Sequence, residues 1–386
     1  MRVLVAFDKF KGALSAREAG EVVARALRRL LKQWSFDLCP LTDGGDGFAE
    51  ILTAAASGTL HSVRVAGPRG KRVTAKYGLA RIDHIPRAAR SMLDLPDLPG
   101  SARIAIVEMA QASGLALLEA DSRDPWQAST GGTGQVIRCA VDQGAQGVLL
   151  GVGGSATHDL GLGALNVLGV KFLRPDGSVL SSLEPARWMQ IARITGAGRA
   201  PIPPIRIACD VTNPLLGPRG AAKIYAPQKG LGRRDYRRLE QETSRISAML
   251  CNYYDQPISL RHVPGAGAAG GLAFGLICAL RSRLLPGSDL VSAWLGLKRR
   301  LAAADLVITG EGRFDKSSYN GKGPGSVAKS ALKLGKPVHV FAGQATTMPF
   351  QLGLKVHIIT PPGQELAEAL RATVRNLETA ARRVFA

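Results

Sequence analysis

Asp305-Leu306-Val307-Ile308-Thr309-Gly310-Glu311-Gly312-Arg313-Phe314-Asp315 is a short apolar run that ends in glycines alternating with charged side chains. The run reads as a buried strand, Ala304–Ile308, and the residues after it as a loop. Gly310 and Gly312 admit backbone angles closed to other residues and let a ligand approach the main chain. Glu311, Arg313 and Asp315 place two carboxylates and a guanidinium within a few residues of the strand end, and Lys322 follows just ahead of a helical stretch. Three charges beside a buried strand add nothing to a core, so the pattern reads as a site. It suits an anionic ligand, with a metal ion as a further option.

The same rhythm of strand and helix recurs at both ends of the chain. Arg2–Phe7 is a buried-strand pattern, followed by an amphipathic helix over Ser15–Lys32 in which Ser15 and Glu18 form a capping box. A strand at Asp37–Leu41 and a helix at Gly47–Ser57 come next. Beyond residue 304 the order is strand, helix (Gly325–Leu334), strands at Pro337–Phe341 and Val356–Thr360, and a closing helix over Glu365–Phe385. Such alternation implies a parallel sheet covered on both faces. The middle differs: turn signals between β-type runs in His61–Ala80 predict antiparallel hairpins, and Arg81–Ser101 reads as an irregular insertion. Strands are expected at Ala102–Met109, Gly147–Val152 and Ile205–Cys209. Helices are expected at Gly134–Gln143, Gly161–Leu168, Asp235–Asn252 and Gly271–Ser282. The fold class is therefore α/β with two domains: a parallel-sheet domain from 1–60 plus 288–386, and an inserted α/β domain over 61–287.

With 386 residues, 46% of them hydrophobic, the chain has length enough for two cores. No secretory signal or membrane span is read from it, and five scattered cysteines fit neither a disulfide framework nor a zinc site, so a reducing cytoplasm is expected. The net charge of +20 raises nucleic-acid binding as a reading. The basic clusters lie on helical patterns without interleaved aromatics, and that reading is set aside as the primary function.

Ligands of open parallel sheets bind outside the carboxyl ends of the strands. The first strand runs into Asp8-Lys9-Phe10-Lys11-Gly12 and the second into Thr42-Asp43-Gly44-Gly45-Asp46-Gly47. In the inserted domain Gly151-Val152-Gly153-Gly154-Ser155-Ala156-Thr157-His158-Asp159 offers backbone N–H groups and hydroxyls at a helix start. Cys209-Asp210-Val211-Thr212-Asn213 ends another strand, and Lys229 sits on a turn. Asp and Gly also make good turns and caps, which is the bland account of any one of these loops. Several on one edge are poorly explained by it. Together they point to phosphate handling, with aspartates available for Mg²⁺ or proton transfer. Gly265-Ala266-Gly267-Ala268-Ala269-Gly270 matches the dinucleotide spacing but follows Pro264 and a marginal strand, so packing of a helix start is the better reading. No Walker-type phosphate loop is present.

In their order, these loops resemble the type I glycerate kinases over nearly the full length. The resemblance rests on Asp8–Ser15, Thr42–Gly47, Glu108-Met109-Ala110, Ser113-Gly114-Leu115, Arg123-Asp124-Pro125, Gly132-Thr133-Gly134, Gly151–Thr157, Ala208–Pro214, Pro227–Gly230, Pro264–Gly271, Thr309–Asp315 and Gly321-Lys322. It implies a flavodoxin-like domain with an inserted α/β domain, a site in the cleft between them, and ATP- and Mg²⁺-dependent phosphorylation of D-glycerate to 2-phosphoglycerate. A homodimer is compatible with it. On that basis Lys11, Lys229 and Arg313 would neutralise phosphate or carboxylate charge. Asp43, Asp210 and Asp315 would divide metal binding and proton acceptance, with Asp210 and Asp315 on the metal. Asp8, Gly44, Gly45, Gly153, Gly154, Ser155, Asn213, Gly267, Glu311 and Lys322 would contact glycerate or ATP. His158 stands where that family commonly has Asn, which touches substrate choice. The alternatives are a kinase for another small hydroxy acid and a non-enzymatic polyanion-binding protein.

Overall fold

The computed structural model describes residues 1–95, 97–196, 202–315, 318, 323–346 and 351–385. Its strands are β1 Arg2–Phe7, β2 Ser35–Leu38, β3 Thr59–Ala66, β4 Arg72–Arg81, β5 Arg103–Glu108, β6 Gly147–Gly151, β7 Lys171–Leu173, β8 Arg193–Thr195, β9 Ile205–Cys209, β10 Arg283–Pro286, β11 Leu306–Phe314, β12 Val338–Ala345 and β13 Leu354–Ile358. Contacts divide the chain into two compact units, Met1–Asp43 with Val291–Ala386, and Gly44–Leu290.

The first unit holds an all-parallel sheet in the order β13-β12-β11-β1-β2. Counting only its own strands, this is the flavodoxin-like order, whose switch point lies between β1 and β11. Val3–Phe7 of β1 are buried without interruption. Since successive strand residues point to opposite faces, both faces of the sheet are covered. The helix Ala16–Leu30 supplies part of that cover through Ala19, Val23 and Leu27. It starts with the expected capping box: Ser15 Oγ accepts the Glu18 N–H at 3.2 Å, and Glu18 Oε2 accepts the Ser15 N–H at 2.9 Å. Such a cap contributes about 1 kcal/mol.

The second unit holds a mixed sheet in the order β10-β9-β6-β5-β4-β3. β3 and β4 pair antiparallel, as the turn signals predicted, β4 and β5 do so as well, and β5, β6, β9 and β10 pair parallel. A separate ribbon pairs β7 with β8. Neither this ribbon nor β10 was anticipated, because runs of three or four residues carry too little periodicity.

Four expectations are corrected. The residues after Ile308 are not a loop: β11 continues to Phe314, pairing with β12 at Gly310↔Phe341, Glu311↔Ala342, Arg313↔Gln344 and Phe314↔Ala345. Pairing to β1 stops at Phe7↔Gly310, so the end of β11 overhangs its neighbour on the switch-point side. Neither Gly310 nor Gly312 has a positive φ. The chain passes into the second unit at Gly44, earlier than residue 60, because the helix Phe48–Ala55 packs on the second sheet. There Thr53 fills the space where Gly78 of β4 lacks a side chain, and Ala49 N–H meets Glu108 of β5. The stretch read as an irregular insertion carries regular structure, a 3₁₀ turn at Ile82–His84 and a helix at Arg87–Leu93. The closing helix is two, Leu366–Arg371 and Thr373–Phe385.

Candidate active site

In the first unit the polar residues gather at the carboxyl ends of β1 and β11. The Asp8 N–H extends the ladder by donating to the Gly310 carbonyl at 2.9 Å, and Asp8 Oδ1 accepts the Lys9 N–H at 2.7 Å. Lys9 Nζ stands 4.0 Å from Asp43 Oδ1. Lys11 is exposed. At the end of β11, Arg313 is 69% exposed and its Nε lies 3.3 Å from Asp315 Oδ2, whose side chain is 23% exposed. Asp315 Oδ1 accepts the Ser318 N–H at 3.1 Å, while Ser318 Oγ donates to the Arg313 carbonyl at 3.1 Å.

Glu311 is strongly perturbed. Burial pushes its carboxyl up to about 7; a hydrogen bond from Ser318 opposes the shift, and the neighbouring carboxylates of Asp8 and Asp315 add to it. Its Oε1 is buried without a hydrogen-bond partner among the described residues. Converging carboxylates and an orphaned buried oxygen are the setting a cation relieves. Among the described residues, no three His, Cys, Asp or Glu side chains are gathered closely enough to cage a metal ion. Mg²⁺ does not need a cage, since it commonly takes one or two carboxylates and keeps waters or phosphate oxygens as its other ligands. The donor set at Glu311 and Asp315 fits that demand. Lys322 lies outside the described residues.

In the second unit two loops come together at the carboxyl ends of β5 and β6. Gly44, with φ +92°, and Gly45 are buried, and the Gly44 carbonyl accepts the Gly153 N–H at 3.1 Å. A Cβ on Gly153 would stand 2.7 Å from Gly45 Cα, and one on Gly151 would stand 2.6 Å from the Gly44 oxygen. These glycines permit one loop to lie on the other. Gly154, at φ +69°, turns the chain and gives its carbonyl to the Leu115 N–H.

Lys229 is 1% exposed, and its ammonium donates to Ser155 Oγ at 2.8 Å and to the Thr157 carbonyl at 2.6 Å. Burial drives its pKa down to about 7, opposed by Asp159. A cation so enclosed holds the loop 153–157 in shape. Asp159 is fully buried and accepts from Thr130 N–H (2.7 Å), Thr130 Oγ1 (2.8 Å), Gly161 N–H (3.1 Å) and Gly163 N–H (3.2 Å). His158 is also fully buried, its Nε2 3.0 Å from Thr243 Oγ1. Because Thr243 Oγ1 donates to the Leu239 carbonyl at 2.7 Å, His158 Nε2 must be the donor to Thr243. Burial holds the imidazole neutral, its pKa down at about 3. The departure at His158 is therefore a matter of packing.

Asp210, at the end of β9, accepts the Ser288 N–H at 2.9 Å (Oδ2) and 3.1 Å (Oδ1), and Ser288 Oγ at 3.2 Å. Asn213 is occupied within its own loop: Nδ2 donates to the Arg219 carbonyl at 2.8 Å, and Oδ1 accepts Tyr225 Oη at 2.5 Å. The Gly267 N–H donates to the Asn213 carbonyl at 3.0 Å, and a Cβ there would stand 2.3 Å from the Pro214 oxygen. Gly267 thus serves close packing, as does Gly270, whose Cβ would stand 2.1 Å from the Thr157 oxygen.

Glu108 enters the sequence reading only as part of a motif, and the structure makes it prominent. It ends β5, is 2% exposed, and accepts the Ala49 N–H at 3.3 Å and Gln111 Nε2 at 3.4 Å. Burial pushes its carboxyl up to about 7, against the Ala49 N–H and with help from the charge of Asp46. Its signal in sequence was an acid closing an uninterrupted apolar strand. In the unfolded chain this carboxyl loses its proton near 4.5, so between 4.5 and about 7 the folded state holds more protons. Stability from this group therefore falls as pH rises through that window. Glu108→Gln is expected to be more stable than the parent by roughly 3 kcal/mol at pH 8 and equal to it at pH 4. Urea midpoints at the two pH values measure this; an unchanged difference would show that Glu108 titrates normally.

Comparisons with known proteins cover the whole chain. The profile described as "Glycerate kinase family" matches residues 3–386. A "Glycerate kinase" of Halalkalibacterium halodurans is 36% identical over 99% of this chain and 97% of its own length. A "Glycerate 2-kinase" of Escherichia coli strain K12 is 34% identical over 100% and 97%. A crystal structure from Salmonella typhimurium LT2, provisionally assigned as glycerate kinase 2, has a TM-score of 0.77 at 34% identity, over 100% of this chain and 97% of that one.

Proposed function

Because this chain belongs to the glycerate kinase family, we propose that it transfers the γ-phosphoryl group of ATP to a hydroxyl of D-glycerate, giving 2-phosphoglycerate, with Mg²⁺ as the metal. The observation that carries this reading is the gathering of Asp8, Glu311, Arg313 and Asp315 at the switch point of a flavodoxin-like sheet. Phosphoryl transfer demands positioned charge more than covalent chemistry from the protein.

Asp315 beside Glu311 would hold Mg²⁺, with Asp210 as a second candidate for that duty. The ion, when bound, would stabilise charge on the phosphate oxygens. Lys11 and Arg313 are exposed cations that would meet a phosphate or a glycerate carboxylate, Arg313 from its pair with Asp315. Asp43 and Asp210 are the carboxylates proposed to take the hydroxyl proton. Gly153, Gly154 and Ser155 form a loop held from beneath by Lys229. Gly44 and Gly45 back that loop, and we assign them to its support.

A coupled assay on the purified protein tests the reading, with the product's regiochemistry read by phosphorus NMR. D-Glycerate is expected to turn over with Mg²⁺ and ATP. Asp315→Asn is expected to lower kcat by roughly 100-fold while the protein stays folded, in keeping with loss of charge stabilisation at a transferring phosphoryl group. No Mg-ATP-dependent turnover of D-glycerate would overturn the assignment. Turnover of a different hydroxy acid in its place would transfer it to that substrate. Among the described residues, no helix is long and apolar enough to cross a membrane.

A further inference from the structure

The amino ends of the parallel strands in the second sheet, the edge opposite Glu108 and Asp210, carry a cavity that the proposed reaction does not use. It has a volume of about 360 Å³ and is lined by Arg87, Arg90, Ser91, Ile82, Leu95 and Leu98, among others. This is the segment that read in sequence as an irregular insertion. A cavity of this size is at the small end of the range for small-molecule sites.

The wall is built, not incidental. The helix Arg87–Leu93 ends at Asp94 in a left-handed conformation (φ +49°). Buried Arg206, the second residue of β9, donates Nε to the Leu93 carbonyl and Nη2 to the Asp94 carbonyl, both at 2.6 Å. Arg283, the first residue of β10, pairs with the Asp94 carboxylate. The one carboxylate lining the cavity is thereby neutralised. Arg87 and Arg90 have no ion-pair partner among the described residues, and Arg90 Nε is buried without an acceptor. An unsatisfied buried guanidinium N–H is costly to leave unmade, and a guanidinium is suited to carboxylate and phosphate oxygens. The leucines and Ile82 offer an apolar surface beside it.

We propose that this cavity is a binding site for a small organic anion, one carrying a carboxylate or phosphate monoester on an apolar body. It stands apart from the residues assigned to phosphoryl transfer, so the failure of either assignment leaves the other intact.

Isothermal titration of the full chain, with ATP and Mg²⁺ present at saturation, tests it using phenyl phosphate, benzoate, inorganic phosphate and benzyl alcohol as probes. Phenyl phosphate or benzoate is expected to bind more tightly than inorganic phosphate, and benzyl alcohol not at all. Which of the two binds tighter identifies the head group. Arg90→Met, which keeps the aliphatic stem, and Ser91→Trp, which fills the cavity, are each expected to weaken binding at least tenfold with basal turnover unchanged. Equal binding of benzyl alcohol, no binding of either aromatic anion, or unchanged affinity in both variants would overturn the proposal.

Discussion

Replacing Lys229 with Met is expected to lower turnover about 100-fold while leaving the protein as stable as before near pH 7, a separation that follows from opposing magnitudes. The folded ammonium titrates at about 7 against 10.5 in the unfolded chain. At 1.36 kcal/mol per unit, keeping this charge buried costs about 5 kcal/mol at neutral pH. The hydrogen bonds to Ser155 Oγ and the Thr157 carbonyl recover about 1.5–3 kcal/mol each. Met removes the cost and the bonds together, and the two nearly cancel. The loop 153–157 loses the contact that fixes it, so the loss falls on kcat. The pH dependence supplies an independent check. Between about 7 and 10.5 the unfolded chain holds the Lys229 proton and the folded chain does not, so the wild type gains stability as pH rises. The Met variant is expected to lack that increment in urea midpoints compared at pH 7 and pH 9. Full activity in the variant would show that the loop needs no anchor, and unfolding would show that the cation is structural.

The strand ends explain how much of the fold is legible in the sequence. Apolar runs closed by Asp, Glu or Gly marked β1, β6, β9 and β11, because burial on both faces leaves no room for polar residues until the sheet ends. The capping box at Ser15 and the hairpin of β3 and β4 were legible for equally local reasons. What escaped is what depends on partners distant in sequence. The extension of β11 to Phe314 requires β12 beside it, and glycine propensity alone argues for a loop there. The exposure of Lys229 could not be inferred from a turn sequence, since the turn is covered by residues some seventy positions away. Asn213 and Gly267 looked like ligand contacts by type, yet their polar groups are occupied within the fold. Glu108 acquires its raised pKa from its burial in the folded unit and, in smaller part, from the charge of Asp46, neither of which its own strand reveals.

The two glycines of β11 should respond in opposite ways to the same methyl group. A Cβ on Gly310 would stand 2.0 Å from the Phe341 carbonyl oxygen and 2.7 Å from Phe7 Cε1. The oxygen belongs to the neighbouring strand β12, so relief requires β11 and β12 to part where their ladder continues past β1. Overpacking commonly costs 1–3 kcal/mol, and a clash with backbone belongs at or above the top of that range, so Gly310→Ala is expected to lose about 3–4 kcal/mol. A Cβ on Gly312 would meet nothing closer than the Lys11 backbone nitrogen at 3.6 Å, an ordinary contact, and Gly312 has no positive φ. Gly312→Ala is therefore expected to be neutral, or more stable by about 0.5 kcal/mol through the lower entropy of the unfolded chain. Urea unfolding of the two variants side by side measures the contrast. If Gly312→Ala nevertheless raises KM for ATP or glycerate at full stability, its absent side chain leaves room for substrate; if KM is unchanged, the ligand does not approach this part of the main chain. Gly310, by the same comparison, holds the overhanging end of β11 in place, and with it the positions of Glu311 and Asp315.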